Sequence, residues 1–292
     1  MSTEIGSATA DVRGRSNGDR QQEMLRFRYG PWAVVTGASS GIGRAMALRL
    51  AEAGLNLVLV ARRRDVLEQM ATDMAARYGA DVRAVAADLA LEAGTEAVER
   101  VTRDLDVGLL VAAAGFGTSG PFLDSALEAE LEMLDVNCRA PLAMSLHFGR
   151  RFAVRRRGGI VLMGSIVGFQ GTPLAANYAA TKAYVQTLAE ALHAELAPSG
   201  VDVISSAPGP TDSGFAARAG QRMGATVKPE DVARATLGAL GRKVTVLPGA
   251  LSKVLGYSLA PLPRGARVRI MGRVMGGMTK HRATNNGADS GG

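Results

Sequence analysis

Three polar residues near the middle of the chain have the types and spacing that carbonyl chemistry requires. Tyr178 and Lys182 are four residues apart, so on a helix they project from the same face. An ammonium one turn away favours a phenolate, which predicts a lowered pKa for a phenol that ordinarily titrates near ~10. Ser165 stands thirteen positions before Tyr178. Its hydroxyl could hold and polarise a substrate oxygen while the phenol gives or takes a proton.

An apolar run that enters a glycine-rich turn lies well upstream of these residues. Residues 33–43 read Ala-Val-Val-Thr-Gly-Ala-Ser-Ser-Gly-Ile-Gly, and an amphipathic segment follows over residues 44–53. Gly37 permits a sharp turn, Gly41 lets backbone approach a pyrophosphate, and Gly43 lets the helix pack closely on the strand. The helix N-terminus attracts phosphate charge. This pattern predicts a dinucleotide-binding unit, the alternative being a glycine turn that merely connects two elements.

The two motifs together resemble the short-chain dehydrogenase/reductase family, in the subgroup with T-G-x-x-x-G-x-G and Y-x-x-x-K. The resemblance runs from about residue 31 to about residue 249 and involves five motifs in the family's order. It implies an NAD(P)-dependent oxidoreductase. It also implies a homo-oligomer in which the long helices around 127–154 and 178–197 pair between subunits.

The pattern of elements predicts a single doubly wound Rossmann-type α/β domain with a parallel seven-stranded sheet. Runs such as residues 57–60 are continuously apolar, which suits a parallel sheet that is covered on both faces. The expected strands are 33–36, 56–61, 82–87, 108–112, 159–164, 201–206 and 244–247. The expected helices include 64–78, 127–137, 140–154, 178–197 and 229–241.

The end of the second strand favours NADP over NAD. NAD enzymes usually place a carboxylate there for the ribose hydroxyls, whereas this chain has Ala61 followed by Arg62, Arg63 and Arg64. A guanidinium can clamp a 2′-phosphate through paired hydrogen bonds. By the family resemblance Arg62 matches the arginine that marks NADP preference, whereas Arg63 and Arg64 are expected to form a solvated helix start. The basic residue that some NADP members carry inside the glycine turn is replaced by Ser40.

The resemblance also assigns residues at the ends of later strands. Asp88 and Leu89 match the segment that contacts the adenine ring, and Asp88 could also cap the helix that starts near residue 92. The family commonly reads N-N-A-G after the fourth strand, where this chain reads Ala-Ala-Ala-Gly over residues 112–115. Side-chain hydrogen bonds are lost there, but the backbone of Ala113 and Ala114 can still line the nicotinamide ribose.

Asn137 matches the family asparagine that completes the catalytic set, where it holds a water that relays protons to the lysine. An asparagine that breaks or caps a helix is the alternative at this position. The segment Ala207–Ser213 resembles the family's P-G-x-x-x-T, whose backbone and hydroxyl meet the nicotinamide carboxamide. The predicted catalytic residues are Ser165, Tyr178, Lys182 and Asn137. The predicted cofactor contacts are Gly37, Ser39, Ser40, Gly41, Ile42, Gly43, Arg62, Asp88, Leu89, Ala113, Ala114, Tyr178, Lys182, Pro208, Gly209, Thr211 and Ser213.

These residues predict NADP-dependent reduction of a ketone to an alcohol, with Tyr178 as the general acid. The loop 116–122 and a lid over 214–228 are expected to form the substrate pocket, and because both are apolar or small, an apolar or lipid-like substrate is favoured. Oxidation of an alcohol uses the same residues and is one alternative. A non-catalytic NADP-binding sensor or scaffold is the other.

Charge and composition exclude several classes of function and predict a disordered N-terminal tail. Residues 31–249 carry equal numbers of basic and acidic groups, so nucleic-acid binding is not expected. One cysteine, Cys138, excludes an internal disulfide and suits a reducing cytoplasm. Residues 1–30 are predicted to be a disordered tail, and no metal site or membrane-spanning run is expected.

Residues 250–292 are predicted to form a basic amphipathic extension. They carry seven basic groups and one acid, and Ile270, Val274 and Met278 recur every four positions, as do Met271 and Met275. Such a helix could lie on an anionic membrane surface, pack on a partner subunit or cover the active site.

Overall fold

The computed structural model describes residues 17–212 and 226–279, and a parallel sheet forms its centre. The sheet has seven strands among these residues, which confirms the predicted fold class. The strands are β1 (Trp32–Thr36), β2 (Asn56–Ala61), β3 (Val82–Ala86), β4 (Val107–Ala112), β5 (Gly158–Met163), β6 (Val201–Ser206) and β7 (Thr245–Val246). Their order is β3-β2-β1-β4-β5-β6-β7, and every neighbouring pair is parallel.

Helices cover both faces of this sheet. They are α1 (Asn17–Tyr29), α2 (Gly41–Glu52), α3 (Arg64–Tyr78), α4 (Glu92–Val101), α5 (Leu127–Leu134), α6 (Ala140–Arg155), α7 (Ala176–Leu196), α8 (Pro229–Ala239), α9 (Ala250–Leu259) and α10 (Arg264–Thr279). A π-helical turn, Asp135–Arg139, joins α5 to α6 without a break. The central strands β4 and β5 are buried along their whole length, as the apolar runs predict.

The chain reverses its direction of travel across the sheet at β1. This strand lies between β2 and β4, with Thr36 beside Val60 on one side and Ala112 on the other. In open parallel sheets the connections leave a crevice at the carboxyl ends of the strands at such a point, and ligands bind there. The Thr36 hydroxyl accepts a hydrogen bond from the N–H of Ala114 at 3.0 Å, which fixes the floor of that crevice.

The prediction of a disordered tail over residues 1–30 is wrong for residues 17–29, which form α1. Leu25 and Tyr29 lie one turn apart and are buried. The Tyr29 hydroxyl donates a hydrogen bond to Asp202 Oδ2 at 2.7 Å, and Arg28 forms an ion pair with the same carboxylate. The polar composition of the stretch concealed this helix, because its anchoring partner on β6 is distant in sequence. Residues 1–16 lie outside the described part of the chain.

The last two helices of the described chain, α9 and α10, follow the short edge strand β7. The predicted amphipathic stretch 268–278 lies inside α10. Met271 and Met275 are buried, so one face of α10 packs against the body of the protein. Among the helices described, none is long and apolar enough to cross a membrane.

Candidate active site

The serine, tyrosine and lysine predicted as catalytic come together at the carboxyl end of β5. Ser165 follows that strand and begins a short 3₁₀ turn, Ile166–Phe169. Tyr178 and Lys182 lie one turn apart in α7. The Ser165 hydroxyl hydrogen-bonds with the Tyr178 phenol, and the Lys182 ammonium lies 5.8 Å from the centre of the phenol ring. Lys182 Nζ also donates a hydrogen bond to the carbonyl of Met163 at 2.8 Å.

The electrostatics of this group differ from the sequence prediction. Burial raises the pKa of Tyr178 to about 12, and the hydrogen bond with Ser165 offsets only part of that increase. Burial also lowers the pKa of Lys182 to about 8. The sequence predicted a lowered tyrosine pKa, whereas burial in the folded protein raises it, because removal of the phenol from water disfavours the charged phenolate. At neutral pH Tyr178 is a protonated phenol, which is the form of a general acid.

Asn137 is buried in the π-helical turn and holds the loop after β4. Its Nδ2 donates to the carbonyl of Phe116 at 2.8 Å and to Thr181 Oγ1 at 3.0 Å, and its Oδ1 accepts from the N–H of Phe116 at 3.1 Å. A Cβ on Gly115 would lie 2.9 Å from Asn137 Oδ1 and 3.4 Å from Lys182 Nζ. Asn137 thus lies beside the lysine and supports the loop, and its role in a water relay stays a prediction.

Sequence reasoning missed a buried carboxylate that also supports this loop. Glu130 lies on α5 and is 7 % exposed. Its Oε1 accepts a hydrogen bond from Thr118 Oγ1 at 2.8 Å, and its Oε2 accepts one from Asn177 Nδ2 at 2.7 Å. Because Asn177 directly precedes Tyr178, this network ties the loop to the first turn of α7. An acidic residue on an otherwise apolar helix face was the only signal available in the sequence.

A cleft of about 530 Å³ opens at the crevice beside β1 and fits a dinucleotide. Gly37 and Gly41 have φ values of +66° and +54°, which glycine adopts readily. A Cβ on Gly43 would lie 2.4 Å from the carbonyl of Gly37, so the start of α2 packs directly on the turn. The backbone N–H groups at the start of α2 are suited to phosphate. Arg63, which was not predicted as a contact, also lines the cleft. Thirteen predicted contacts line it: Gly37, Ser39, Ser40, Gly41, Ile42, Gly43, Arg62, Asp88, Leu89, Ala113, Ala114, Tyr178 and Lys182.

The three arginines after β2 have different environments. Arg63 Nη2 donates to the carbonyl and the hydroxyl of Ser39, at 3.1 and 3.2 Å, so this guanidinium lies against the glycine turn. Arg63 is the exposed N-cap residue of α3, as expected of a solvated helix start, and it contacts the glycine turn in addition. Arg62 faces the cleft and lies 3.5 Å from Glu132. Arg64 is exposed and pairs with Glu68 on its own helix, as expected of a solvated helix start.

Other predicted contacts have a second role or a different place. Asp88 lines the cleft, and its carboxylate accepts a hydrogen bond from the N–H of Ala90 at 3.0 Å, in the turn before α4. The expected helix cap is wrong, because Leu91 is the N-cap residue of α4 and no side chain caps that helix. Pro208, Gly209 and Thr211 do not line the cleft but an adjoining apolar cavity. The backbone turns after β6 and directs this loop toward the substrate side. Ser213 lies outside the described residues.

The apolar cavity has a volume of about 340 Å³ and is closed by the C-terminal helices. Leu251 and Leu255 of α9 line it, together with the methionine face of α10. The loop 117–122, which was expected to form the pocket, does not line it, and Phe116 faces the dinucleotide cleft instead. The expected lid over 214–228 lies mostly outside the described residues. Of the three roles considered for the C-terminal segment, the described structure supports covering the site, because the apolar face of α10 is turned inward.

Tyr178 is part of the wall between the two spaces. It lines both the cleft and the apolar cavity, and only Ile42 shares that position among the described residues. Lys182 lines the cleft and Ser165 lines the apolar cavity. A carbonyl held at Ser165 and Tyr178 would thus face the dinucleotide side of the wall while the rest of the substrate lay among apolar side chains.

Comparison with known proteins agrees with this arrangement. Residues 31–224 match the family model for short chain dehydrogenase. A 7beta-hydroxysteroid dehydrogenase from Clostridium sardiniense is 33% identical over 233 residues, which cover 78% of this chain and 89% of that protein. A very-long-chain 3-oxoacyl-CoA reductase from Pyrenophora tritici-repentis is 36% identical over 180 residues, which cover 60% of this chain and 53% of that protein.

A solved structure shares the fold and part of the sequence. A short-chain dehydrogenase from Sphingobium yanoikuyae in complex with NADPH superposes with a TM-score of 0.74 and 33% identity, covering 83% of this chain and 95% of that one. Sequence motifs, sheet order and family match all agree. The chain belongs to the short-chain dehydrogenase/reductase family and is an NAD(P)-dependent oxidoreductase.

Proposed function

We propose that this enzyme reduces an apolar ketone to an alcohol, with NADPH as the reductant and Tyr178 as the general acid. The observation that carries the proposal is the position of Tyr178 in the wall between the dinucleotide cleft and an apolar cavity. Two relatives are named as a hydroxysteroid dehydrogenase and a very-long-chain 3-oxoacyl-CoA reductase, which supports a substrate whose carbonyl or alcohol group belongs to a large apolar molecule.

The proposed mechanism assigns one task to each residue. A bound nicotinamide supplies the hydride. Ser165 and Tyr178 donate hydrogen bonds to the carbonyl oxygen, which polarises the bond toward the attacked carbon. Tyr178 transfers its phenolic proton to that oxygen as the alcohol forms. Lys182 stabilises the phenolate that remains. Protons from solvent return to that phenolate by way of Asn137 and Lys182.

The protonation state of the phenol affects the rates of reduction and oxidation differently. Since the pKa of Tyr178 is raised to about 12, the acid form dominates at neutral pH. Reduction requires that form, whereas oxidation of an alcohol requires the phenolate. At neutral pH the phenol is therefore in the form that the proposed reduction uses.

The test is NADPH oxidation with a panel of apolar ketones, comparing the wild-type protein with Tyr178→Phe. We expect Tyr178→Phe to reduce turnover at least about a thousandfold, within the range that general acids contribute, while NADPH binding is kept. Tyr184→Phe is the matched control, since Tyr184 is an exposed tyrosine of the same helix that lines neither space. Retained turnover in Tyr178→Phe would refute the mechanism. No turnover by the wild type on any ketone would favour the sensor alternative.

Preference for NADP over NAD is part of the proposal. Ala61 ends β2 where a carboxylate would repel a 2′-phosphate, and two guanidiniums, Arg62 and Arg63, line the cleft nearby. Arg63 is held against Ser39 by two hydrogen bonds, so its charge lies next to the glycine turn. The bound NADPH of the Sphingobium yanoikuyae relative is consistent with this choice.

We also propose self-association through α5 and α6. Five leucines on these helices are 40 to 66% exposed, and together they form an apolar face: Leu127, Leu131, Leu134, Leu142 and Leu146. Exposed patches of this kind commonly mark protein interfaces. Light scattering should give a mass that is a multiple of the chain mass, and Leu131→Glu should lower it. A wild-type protein that stays monomeric at micromolar concentration would contradict this proposal.

Contact with an anionic membrane surface is proposed on a different face from the one that sequence periodicity suggested. Leu251, Val254 and Tyr257 of α9 are exposed, and residues 250–279 carry five basic groups and no acidic group. In a density gradient the protein should float together with phosphatidylserine vesicles, and Val254→Asp should abolish this co-flotation. Equal flotation with neutral vesicles, or none at all, would overturn the idea.

A further inference from the structure

A second cavity lies behind the apolar cavity of the active site. It has a volume of about 230 Å³ and is enclosed by α9, the start of α10 and the 3₁₀ turn after Ser165. Ile166, Leu255 and Met271 line both cavities, so these three side chains form the partition between them. None of the proposed catalytic residues lines the second cavity. The second cavity therefore adjoins the proposed substrate space at these three side chains.

The second cavity has a mainly apolar lining, and its two polar lining residues Gln170 and Arg267 are hydrogen-bonded to backbone carbonyls. Gln170 Nε2 donates to the carbonyl of Ile166 at 3.0 Å, and Arg267 donates to the carbonyls of Leu262 and Ala260. These polar groups are engaged with the backbone and hold the walls in place. The exposed Tyr257 also contributes to the lining. The apolar side chains that remain are Phe169, Leu247, Leu259 and Ala260, besides the three of the partition. The space is suited to hydrocarbon.

The partition contains a side chain that can yield. Met271 has an unbranched side chain with three rotatable bonds, and methionine fills and vacates irregular spaces readily. It is 3% exposed, between the two cavities rather than toward solvent. Leu255 of α9 also belongs to the partition. Rotation of the Met271 side chain would therefore remove one of the three side chains that separate the two spaces.

The volume of the first cavity alone is small for a large substrate. Pockets that bury a drug-sized ligand span roughly 300–1,000 Å³. The first cavity, at about 340 Å³, is near the lower limit of that range, and part of it must hold the carbonyl group beside Tyr178. The second cavity adds about 230 Å³, and it shares no lining residue with the cofactor cleft. An elongated substrate would need both spaces.

We propose that the second cavity is a subsite for the distal hydrocarbon of an elongated ketone, whose carbonyl lies at Tyr178 and whose chain passes between Leu255 and Met271. The proposal rests on the reduction proposed above and adds the length of the substrate. Each methylene transferred from water to such a space should raise kcat/KM about fourfold. The increase should continue with chain length until the second cavity is full.

The experiment measures kcat/KM for a series of straight-chain methyl ketones of increasing length, with NADPH. The filling variant is Ala260→Phe, because Ala260 lines the second cavity and not the first. Ser258→Phe is the matched control, since Ser258 is an exposed residue two positions before Ala260 and lines neither cavity. For wild type and Ser258→Phe we expect the rise to extend to the long ketones. For Ala260→Phe we expect it to stop earlier, with at least a tenfold loss that is confined to the long members.

The outcomes separate this proposal from the proposed reaction. If no ketone of any length oxidises NADPH, the reaction itself is refuted. If short ketones are reduced but Ala260→Phe loses activity equally at all lengths, or at none, the subsite is refuted and the reaction stands. Ala260→Leu provides a smaller filling side chain should Ala260→Phe fold poorly. Binding of a long secondary alcohol, followed as a rise in melting temperature that Ala260→Phe removes, is a readout independent of turnover.

Discussion

The hydroxyl oxygen of Ser252 accepts a hydrogen bond from the backbone N–H of Gly209 at 2.7 Å. Ser252 is fully buried in α9, and Gly209 belongs to the loop after β6 that lines the apolar cavity. This contact joins the C-terminal helix pair to the parallel sheet. A Cβ on Gly209 would lie 2.8 Å from the same oxygen, so the contact also requires glycine.

Replacing Ser252 tests the contact. Ser252→Ala leaves the N–H of Gly209 without its acceptor in a part-buried position, which costs about 1–3 kcal/mol. We expect the free energy of unfolding to fall by about that amount and KM for an apolar ketone to rise severalfold, while NADPH affinity changes little. Denaturant unfolding and steady-state kinetics measure both. Ser258→Ala, on the exposed side of the same helix, should change neither, and an equal effect of the two substitutions would contradict the assignment.

The rates of reduction and oxidation should depend on pH with opposite signs. With the pKa of Tyr178 raised to about 12 and that of Lys182 lowered to about 8, reduction has its acid and its ammonium together below about pH 8. We expect kcat/KM for ketone reduction to fall as the pH rises through about 8. Oxidation of the corresponding alcohol should rise with pH, because it needs the phenolate. Parallel profiles for the two directions would show that Tyr178 is not the shared acid and base.

Removal of Arg63 should weaken NADPH binding selectively. The variant Arg63→Ala loses a guanidinium that lies against the glycine turn, and charge-assisted hydrogen bonds to phosphate are among the stronger polar contacts. We expect the Kd for NADPH to rise about tenfold to a hundredfold, with the Kd for NADH nearly unchanged. Titration calorimetry provides both values. Arg64→Ala is the control, since Arg64 pairs with Glu68 on an exposed helix face, and equal loss for both nucleotides would rule out a 2′-phosphate contact.

A side chain at position 115 should displace Asn137 or Lys182, both of which are proposed to take part in proton transfer. The added Cβ of Gly115→Ala would lie 2.9 Å from Asn137 Oδ1, so that contact must shift. Small displacements in a catalytic arrangement can cost about a hundredfold in rate, and we expect a loss of about tenfold to a hundredfold in kcat. Gly265→Ala, which meets nothing within 4 Å, is the matched control. Unchanged kcat in Gly115→Ala would show that Asn137 and Lys182 tolerate movement.

The sequence predicted those parts of the protein that depend on local pattern. Strands β2 and β6 have the predicted bounds, and the spacing from Ser165 to Tyr178 places both at one end of the sheet. Such features follow from periodicity and from the order of the motifs along the chain. Helix α1 was missed because Tyr29 is anchored by Asp202, which no local pattern connects to it.

The electrostatics and the substrate pocket could not be predicted in the same way. The spacing of Tyr178 and Lys182 shows that they share a helix face, but the pKa of the phenol depends on how completely the surrounding chain removes it from water. Likewise, the recurrence of Met271 and Met275 defines an apolar face of α10. What that face covers is decided by the tertiary packing.

The inward-facing C-terminal helices mean that chemistry and selectivity are encoded in different stretches of the chain. The groups proposed for proton transfer lie between residues 137 and 182, whereas a large part of the wall that would discriminate among substrates lies after residue 250. Substitution within the last two helices can therefore retune which molecule is accepted without touching the acid that serves it. For protein engineering, α9 and α10 could therefore be exchanged as a unit, provided that the hydrogen bond between Ser252 and Gly209 is retained.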